Sequence, residues 1–264
     1  LVVAIHGVGL ILLVLEGEER TVKTVLLFEI GLSLSRLKKI KVSGILVNGQ
    51  PVTVRKVVRD GDILTLVVPE EQESNIEPIE TPLDILYEDD DILAVSKPTC
   101  MPVHPSRGNH LITLANAVMW YYRESPFVFR AVNRLDRDTS GIVLIAKNAE
   151  AAHKLSEAMK RGEFVKEYLA VVDGCPTAVR GTINAKIARE REGEIKRIVR
   201  EDGKVAITHY EVLKSVGDTS LLRIRLETGR THQIRVHMKH IGHPLPGDFL
   251  YNPDYSVIER QALH

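Results

Sequence analysis

Cysteine is the first scarcity. Cys100 and Cys175 are the two in 264 residues, far apart and without partners at metal-ligating spacing. A disulfide-knit scaffold and a cysteine zinc site are both excluded, because each needs several thiols at short intervals. Two structural thiols in a reducing compartment are expected, with a single Cys100–Cys175 bond the open alternative. Long apolar runs are also missing. The stretch Leu10–Leu15 is too short to span a bilayer, and His6 interrupts the residues before it. No basic leader or small-residue cleavage site accompanies it, so neither membrane anchor nor signal peptide is expected. The expectation is a soluble cytoplasmic protein. A chain that starts without Met and stops at His264 is expected to be a fragment.

Net charge is missing too, with 35 basic against 35 acidic residues, but the sum conceals a segregation. From Ile30 to Arg59 there are seven basic residues (Arg36, Lys38, Lys39, Lys41, Arg55, Lys56, Arg59) and no acid. From Pro69 to Ser96 there are ten acids and no Lys or Arg. Separate zones of this kind present a positive face to a polyanion despite zero net charge. Motifs of several enzyme classes are likewise absent. There is no G-x-S-x-G elbow, no phosphate-cradling glycine loop and no H-E-x-x-H pair. His232 and His237 are five apart, not the four that sets two ligands on one helical face, so no metal is expected. A glycosidase would want a second carboxylate, for which Asp138 is available, but the flanks suggest no sugar cleft.

The length allows one large or two ordinary domains. An N-terminal strand and turn is expected over residues 1–20, then a helix within Val22–Leu37. Asn48-Gly49 marks a hairpin and Asp60-Gly61 a second turn before a strand from Ile63. Glu70–Pro82 is acidic with two prolines and reads as an extended linker. Two strands joined by an acidic turn follow within Ile85–Pro98, then a buried helix within Leu111–Tyr122. Asn148 caps a helix with an Ala151, Ala152, Leu155, Ala158, Met159 face, which Gly162 ends. Lys166–Gly174 is a strand into a turn. Lys186–Lys204, rich in both signs, is expected to be exposed. His209–Leu213 and Leu222–Leu226 pair as a hairpin across Gly217-Asp218. After the turn at Thr228 a helix carries Ile234, Met238 and Ile241 toward the core, with His232, Arg235 and Lys239 on another face. His243–Asp248 is expected to be a stiff loop returning to the surface. The order predicts an α+β protein: a mixed, mostly antiparallel central sheet with flanking helices, plus a small N-terminal α/β domain.

One stretch carries chemistry. Asn133-Arg-Leu-Asp-Arg-Asp-Thr-Ser-Gly141 sets two carboxylates among two arginines and two hydroxyls, and then turns apolar at Ile142. A polar loop feeding a buried strand holds a reactive group still. A D-x-T-S-G string by itself is most often a surface turn. Its company changes that: a Tyr in a lysine-led strand and an Arg on a later helix.

Together, Asn133–Gly141, Lys166-Glu-Tyr-Leu-Ala170 and Thr228-Gly-Arg-Thr-His-Gln-Ile-Arg-Val-His237 resemble, in order, the three motifs of the RluA-type pseudouridine synthases. Gly242-His-Pro-Leu-Pro-Gly-Asp248 resembles the stretch that follows the third. The resemblance covers Leu83–His264 and implies the pseudouridine synthase fold. The unit around Arg20–Pro69 resembles an S-four-type RNA-binding domain through Leu34-Ser-Arg-Leu-Lys-Lys-Ile40, Gly44-Ile-Leu-Val-Asn-Gly49 and Val57-Val-Arg-Asp-Gly-Asp62. The domains expected are thus 1–69 for RNA binding, 70–82 as linker and 83–264 for catalysis.

The resemblance implies that Asp136 is the catalytic aspartate, as nucleophile or base, and that Arg235 pairs with it. Tyr168 packs against the flipped uracil, and Arg134 fills the space the base leaves, since a base in structured RNA must be extruded before chemistry. Arg230, His232 and Gln233 in the third motif, and Arg36, Lys38 and Lys39 in the N-terminal unit, are the further RNA contacts expected. No cofactor is required. The partner expected is RNA, ribosomal rather than transfer, bound by a monomer without membrane association. The rival from another class is a non-catalytic RNA- or ribosome-binding protein that keeps the fold. Two departures stand out. Asn133 occupies a position where the family usually has His. Gln261-Ala-Leu-His264 resembles the start of a strand that normally continues, so the C-terminal end is expected to be truncated, and an end at His264 would leave an open sheet edge and a thinner core.

Overall fold

Asn-Gly between short apolar runs dictates a two-residue hairpin, because both turn residues must take positive φ. The computed structural model describes residues 2–5, 10–32, 34–67, 75–106, 112–253 and 258–264, and forms that turn with Asn48 at φ 50° and Gly49 at φ 77°. The Asn48 side chain then ties the turn to the next strand, donating to Asp62 (2.7 Å) and accepting from the Ile63 amide (2.8 Å). The chain divides into two compact units, Leu1–Glu73 and Ser74–His264.

The first unit is an antiparallel sheet of β1 (Val2–Ile5), β2 (Leu10–Val14), β4 (Ile45–Val47), β5 (Gln50–Pro51) and β7 (Ile63–Val67), in the order β1-β2-β7-β4-β5. A two-stranded ladder joins β3 (Arg20–Thr21) to β6 (Val57–Val58). The single helix expected within Val22–Leu37 is replaced by three pieces. Thr21 caps a short α1 (Val22–Thr24), a π-turn follows over Val25–Glu29, and α2 runs Leu34–Ser43. Gly31, at φ 73°, is the reason: a left-handed residue ends one helical segment and re-aims the next. Val22, Val25, Leu26, Leu37 and Ile40 pack with Ile45, Leu64 and Leu66 into one core. Lys38 is exposed on α2; the side chains of Arg36 and Lys39 lie outside the described residues.

In the second unit β8 (Asp84–Glu88), β9 (Ile92–Lys97) and β10 (Gly141–Ala146) form one antiparallel sheet, ordered β10-β9-β8. A second, ordered β11-β16-β15-β12, holds β11 (Lys166–Asp173), β12 (Arg180–Asn184), β15 (Ile207–Val216) and β16 (Thr219–Leu226). Between these strands runs a ribbon of β13 (Ile187–Arg189) and β14 (Arg197–Val199). The last residues stitch the two sheets together. Leu169 and His264 exchange backbone hydrogen bonds at 2.7 and 2.9 Å, while Gln261 donates to Thr139 (2.6 Å) in the loop before β10.

Among the described residues, three helices cover these sheets. α3 (Leu114–Tyr121) begins at a reciprocal Thr113–Asn116 capping box, and α4 (Ala149–Lys160) at Asn148, which accepts from the Ala151 amide at 2.8 Å. α5 (Gln233–His240) lies on the β11–β16 sheet, burying Ile234 and Met238 with Leu222 and Ile224. No helix among the described residues is long and apolar enough to cross a membrane.

Three local expectations change. Residues 70–74 of the linker lie outside the described residues, but the remainder is docked: the Ile79 amide donates to Asn116 (3.2 Å), and Asn116 donates to the Glu77 carbonyl (2.8 Å). Lys186–Lys204 is not merely exposed, because Ile187 is buried with Ala206, Val236 and Tyr251. Finally, His243–Asp248 turns inward: Leu245 is 1% exposed and Asp248 fully buried. The last change determines the site.

Candidate active site

The loop that carries Asp136 is held from both sides before any substrate arrives. Asn133 behaves as an extra strand residue. Its side-chain Nδ2 donates to the Ile142 carbonyl (2.9 Å) and its Oδ1 accepts from the Leu144 amide (2.8 Å), fixing the loop's entry against β10. The side chain that departs from the family's usual His therefore still has a structural task. Below the loop lies Lys97, fully buried, with its ammonium donating to the carbonyls of Pro98 (2.7 Å), Met101 (2.8 Å) and Arg137 (3.0 Å). Burial pushes its pKa down to about 8 against the pull of Asp138 and Asp136. Asp138 is spent locally, gripped by Arg137 through two hydrogen bonds of 2.9 and 2.7 Å. Of the two loop carboxylates, Asp136 alone faces the arginine of α5.

Arg235 reaches Asp136 across 99 positions of sequence, its Nη1 donating to Oδ2 at 3.0 Å. The other edge of the guanidinium grips Asp248, with Nε and Nη2 donating at 2.6 and 2.7 Å. Bidentate pairing of this kind locks a planar fork in one orientation. Burial disfavours the charge on Arg235, yet hydrogen bonds and charge from Asp248 and Asp136 outweigh it and raise its pKa. Tyr251 and Phe249 place their rings 4.9 and 5.4 Å from the guanidinium. Arg235 and Asp248 are 2% and 0% exposed, whereas Asp136 keeps 27% of its side chain open. The result is one accessible carboxylate backed by a rigid, buried cation.

The other residues expected from sequence divide into three groups. Tyr168, half-buried on β11, stands close enough to Asp136 that burial and the carboxylate together raise its hydroxyl pKa. Arg134 and Arg230 are exposed, the latter bonded to the Val205 carbonyl at 2.9 Å. Gln233 and His232 are corrected. Gln233 is 3% exposed; its oxygen accepts from Thr228 and the Arg230 amide, and its nitrogen donates to Ile207 and Thr208. No polar group of that side chain is left to read RNA. His232 points inward, its Nδ1 2.9 Å from the Tyr251 hydroxyl and its Nε2 4.0 Å from Asp136. Burial pushes its pKa down to about 4, Asp136 opposing and Arg235 and Arg197 reinforcing. Nor do His232, Arg235 and Lys239 share an environment, since Lys239 is exposed and Arg235 is buried.

Sequence reasoning missed Asp248, Tyr251, Phe249 and Lys97. Two had a legible signal. Lys97 is a charge at the end of an otherwise apolar strand, and Asp248 follows a Pro-Leu-Pro-Gly stretch too apolar for a surface loop.

A half-buried carboxylate aligned by a guanidinium, with a protonated phenol nearby, can act as nucleophile or base toward a small planar group. The comparisons name the class. Residues 91–240 match the RNA pseudouridylate synthase family. An uncharacterized RNA pseudouridine synthase of Bacillus subtilis (strain 168), YjbO, is 43% identical over 243 residues, covering 89% of this chain and 85% of its own length. Ribosomal large subunit pseudouridine synthase D of Escherichia coli (strain K12) is 43% identical over 250 residues, covering 88% and 76%. Among solved structures, human RNA pseudouridylate synthase domain containing 1 superposes with a TM-score of 0.59 at 29% identity, covering 74% of this chain and 79% of its own. Family and relatives together define an RNA-modifying isomerase. The chain belongs to the RNA pseudouridine synthase family and converts uridine to pseudouridine in RNA.

Proposed function

We propose that this enzyme modifies uridines of large-subunit ribosomal RNA, with Asp136 as its catalytic carboxylate. The names of its relatives support the RNA class, and the observation that carries the site is the 3.0 Å Arg235–Asp136 bond on a guanidinium locked by Asp248. In the reaction the C1′–N1 bond of uridine breaks and a C1′–C5 bond forms. The C5 proton is lost and N1 gains one, so atoms and electrons balance without a second substrate. Asp136 acts as nucleophile or base at the first step. Tyr168 packs its ring against the extruded uracil and serves the later proton transfer. Exposed Arg134 fills the stack that the base vacates, and Arg230 meets the backbone nearby. The N-terminal unit, basic along Arg36, Lys38 and Lys39, is an S-four-like RNA holder tethered to a catalytic unit, and the protein works as a monomer.

Tritium release from RNA labelled at uracil C5 tests the catalytic assignment. Wild type releases tritium and Asp136→Ala does not. Equal release by the two proteins would remove Asp136 from the mechanism.

A further inference from the structure

His232 is not where an RNA-reading residue belongs, and its backbone shows that the position is enforced. It precedes α5 in the left-handed region (φ 58°, ψ 20°) without using its side chain to cap the helix. A non-glycine residue persists there when surrounding contacts over-determine it, and such residues gather at functional sites. The contacts here set a proton. The Arg197 amide donates to the Tyr251 hydroxyl at 2.9 Å, and His232 Nδ1, also at 2.9 Å, is the other partner of that buried hydroxyl among the described residues, so the phenol's hydrogen is satisfied when Nδ1 carries none. Nδ1 is then the acceptor and Nε2 carries the ring hydrogen. Nε2 faces Oδ2 of Asp136 at 4.0 Å, the same oxygen that Arg235 holds at 3.0 Å.

We propose that His232 is a positioning residue for Asp136. Its neutral imidazole presents Nε2–H to Oδ2, restraining the carboxylate so that Oδ1 meets the substrate. This rests on the assignment of Asp136 as the catalytic group. The gap of 4.0 Å is longer than a hydrogen bond and closes as the site tightens on RNA. The charged groups facing the ring come from every element around it: Asp136 from its loop, Arg235 from α5, Arg197 from β14 and Asp248 from the inward loop. Burial, reinforced by Arg235 and Arg197, holds the ring neutral at physiological pH against the pull of Asp136 and Asp248.

The test uses the full chain and unmodified large-subunit ribosomal RNA transcribed in vitro with C5-tritiated uridine. Single-turnover rates at saturating RNA are compared with RNA affinity. His232→Asn, which tolerates the left-handed backbone, lowers the saturated rate about ten- to a hundred-fold and leaves affinity within about two-fold. His232→Gln, whose amide nitrogen reaches the place of Nε2, recovers most of that loss. Tyr251→Phe removes the group that fixes the tautomer without disturbing the strained residue, and it too lowers the rate but not the affinity. The wild-type rate shows no histidine inflection between about pH 5.5 and 8. Weakened affinity with an unchanged saturated rate would make His232 an RNA contact and overturn the proposal. So would equal losses in the Gln and Asn variants, a full rate in Tyr251→Phe, or an inflection that vanishes in His232→Gln. Asp136→Asn separates the two readings: full activity there refutes the catalytic assignment itself.

Discussion

Arg235 serves two carboxylates, buried Asp248 through two hydrogen bonds and the accessible Asp136, the proposed catalytic group, through one. Asp248→Asn is the perturbation that separates them. The substitution keeps shape but turns one acceptor oxygen into an NH2 group aimed at guanidinium N–H donors, so one of the 2.6 and 2.7 Å bonds becomes a donor–donor contact. Arg235 is 2% exposed, so water cannot replace the lost partner. Breaking a buried pair from one side costs about 3–5 kcal/mol. That is a roughly hundred- to several-thousand-fold change in the folding equilibrium, and about 6–20 °C in melting temperature for a unit of this size. Asp136→Asn is the contrast. Its side chain is 27% exposed and it leaves the Asp248 grip intact, so stability should fall by about 1 kcal/mol or less while activity disappears. Trp120, the chain's one tryptophan, sits in α3 of the catalytic unit, so its emission in urea or on heating follows this unfolding. If Asp248→Asn unfolds with the wild type while Asp136→Asn loses several kcal/mol, the assignment of the arginine's anchor is wrong.

Further outcomes follow from the same contacts. Lys97 has its folded pKa lowered to about 8 from 10.5, so between those values the unfolded chain binds more protons and wild-type stability rises with pH. The gain is up to about 1.4 kcal/mol per pH unit, and Lys97→Met should lack it; parallel stability–pH curves above pH 8 would show that the buried ammonium does not titrate there. Asn133→Ala strands the Leu144 amide and loosens the Asp136 loop, so about 1–3 kcal/mol of stability should go, measured by urea titration. Tyr168→Phe keeps the ring and loses the hydroxyl: RNA affinity by filter binding should stay while turnover falls, and unchanged turnover would confine Tyr168 to packing. Replacing Arg36, Lys38 and Lys39 by Gln should weaken RNA binding and flatten its dependence on salt by roughly 0.7–0.9 per lost phosphate contact. An unaltered slope would mean that the basic helix is only solvated.

Local structure was largely legible because its signals are local. Asn48-Gly49, Asn148 and Gly162 act through their own φ preference or a hydrogen bond three residues away, and each does in the structure what its type dictates. The alternation of Leu222 and Ile224 with Arg223 and Arg225 fixed which face of β16 is buried. Failures arose where burial overrode composition. Lys186–Lys204 is charged along its length, yet Ile187, with partly buried Val199, suffices to dock it. The stretch from His243 carries two prolines and a glycine, a loop signature that says nothing about which way the loop faces. Gln233 looked like a polar residue on a helix facing RNA; its hydrogen bonds run instead to Thr208 at the start of β15 and Thr228 just past β16.

The sequence by itself determined most of the elements, their largely antiparallel character, and the presence of Asp136, Tyr168 and Arg235 in three ordered motifs. Those are consequences of residue type and short spacing, which a linear chain displays directly. Tertiary structure alone decided which groups share a charge, hold a tautomer or lose water. The Asp136 carboxylate, the Lys97 under its loop, and the Asp248 and Tyr251 that anchor its arginine and stand behind His232 come from three separate segments. Their energies depend on distance and burial, and neither is a property of any one stretch of chain.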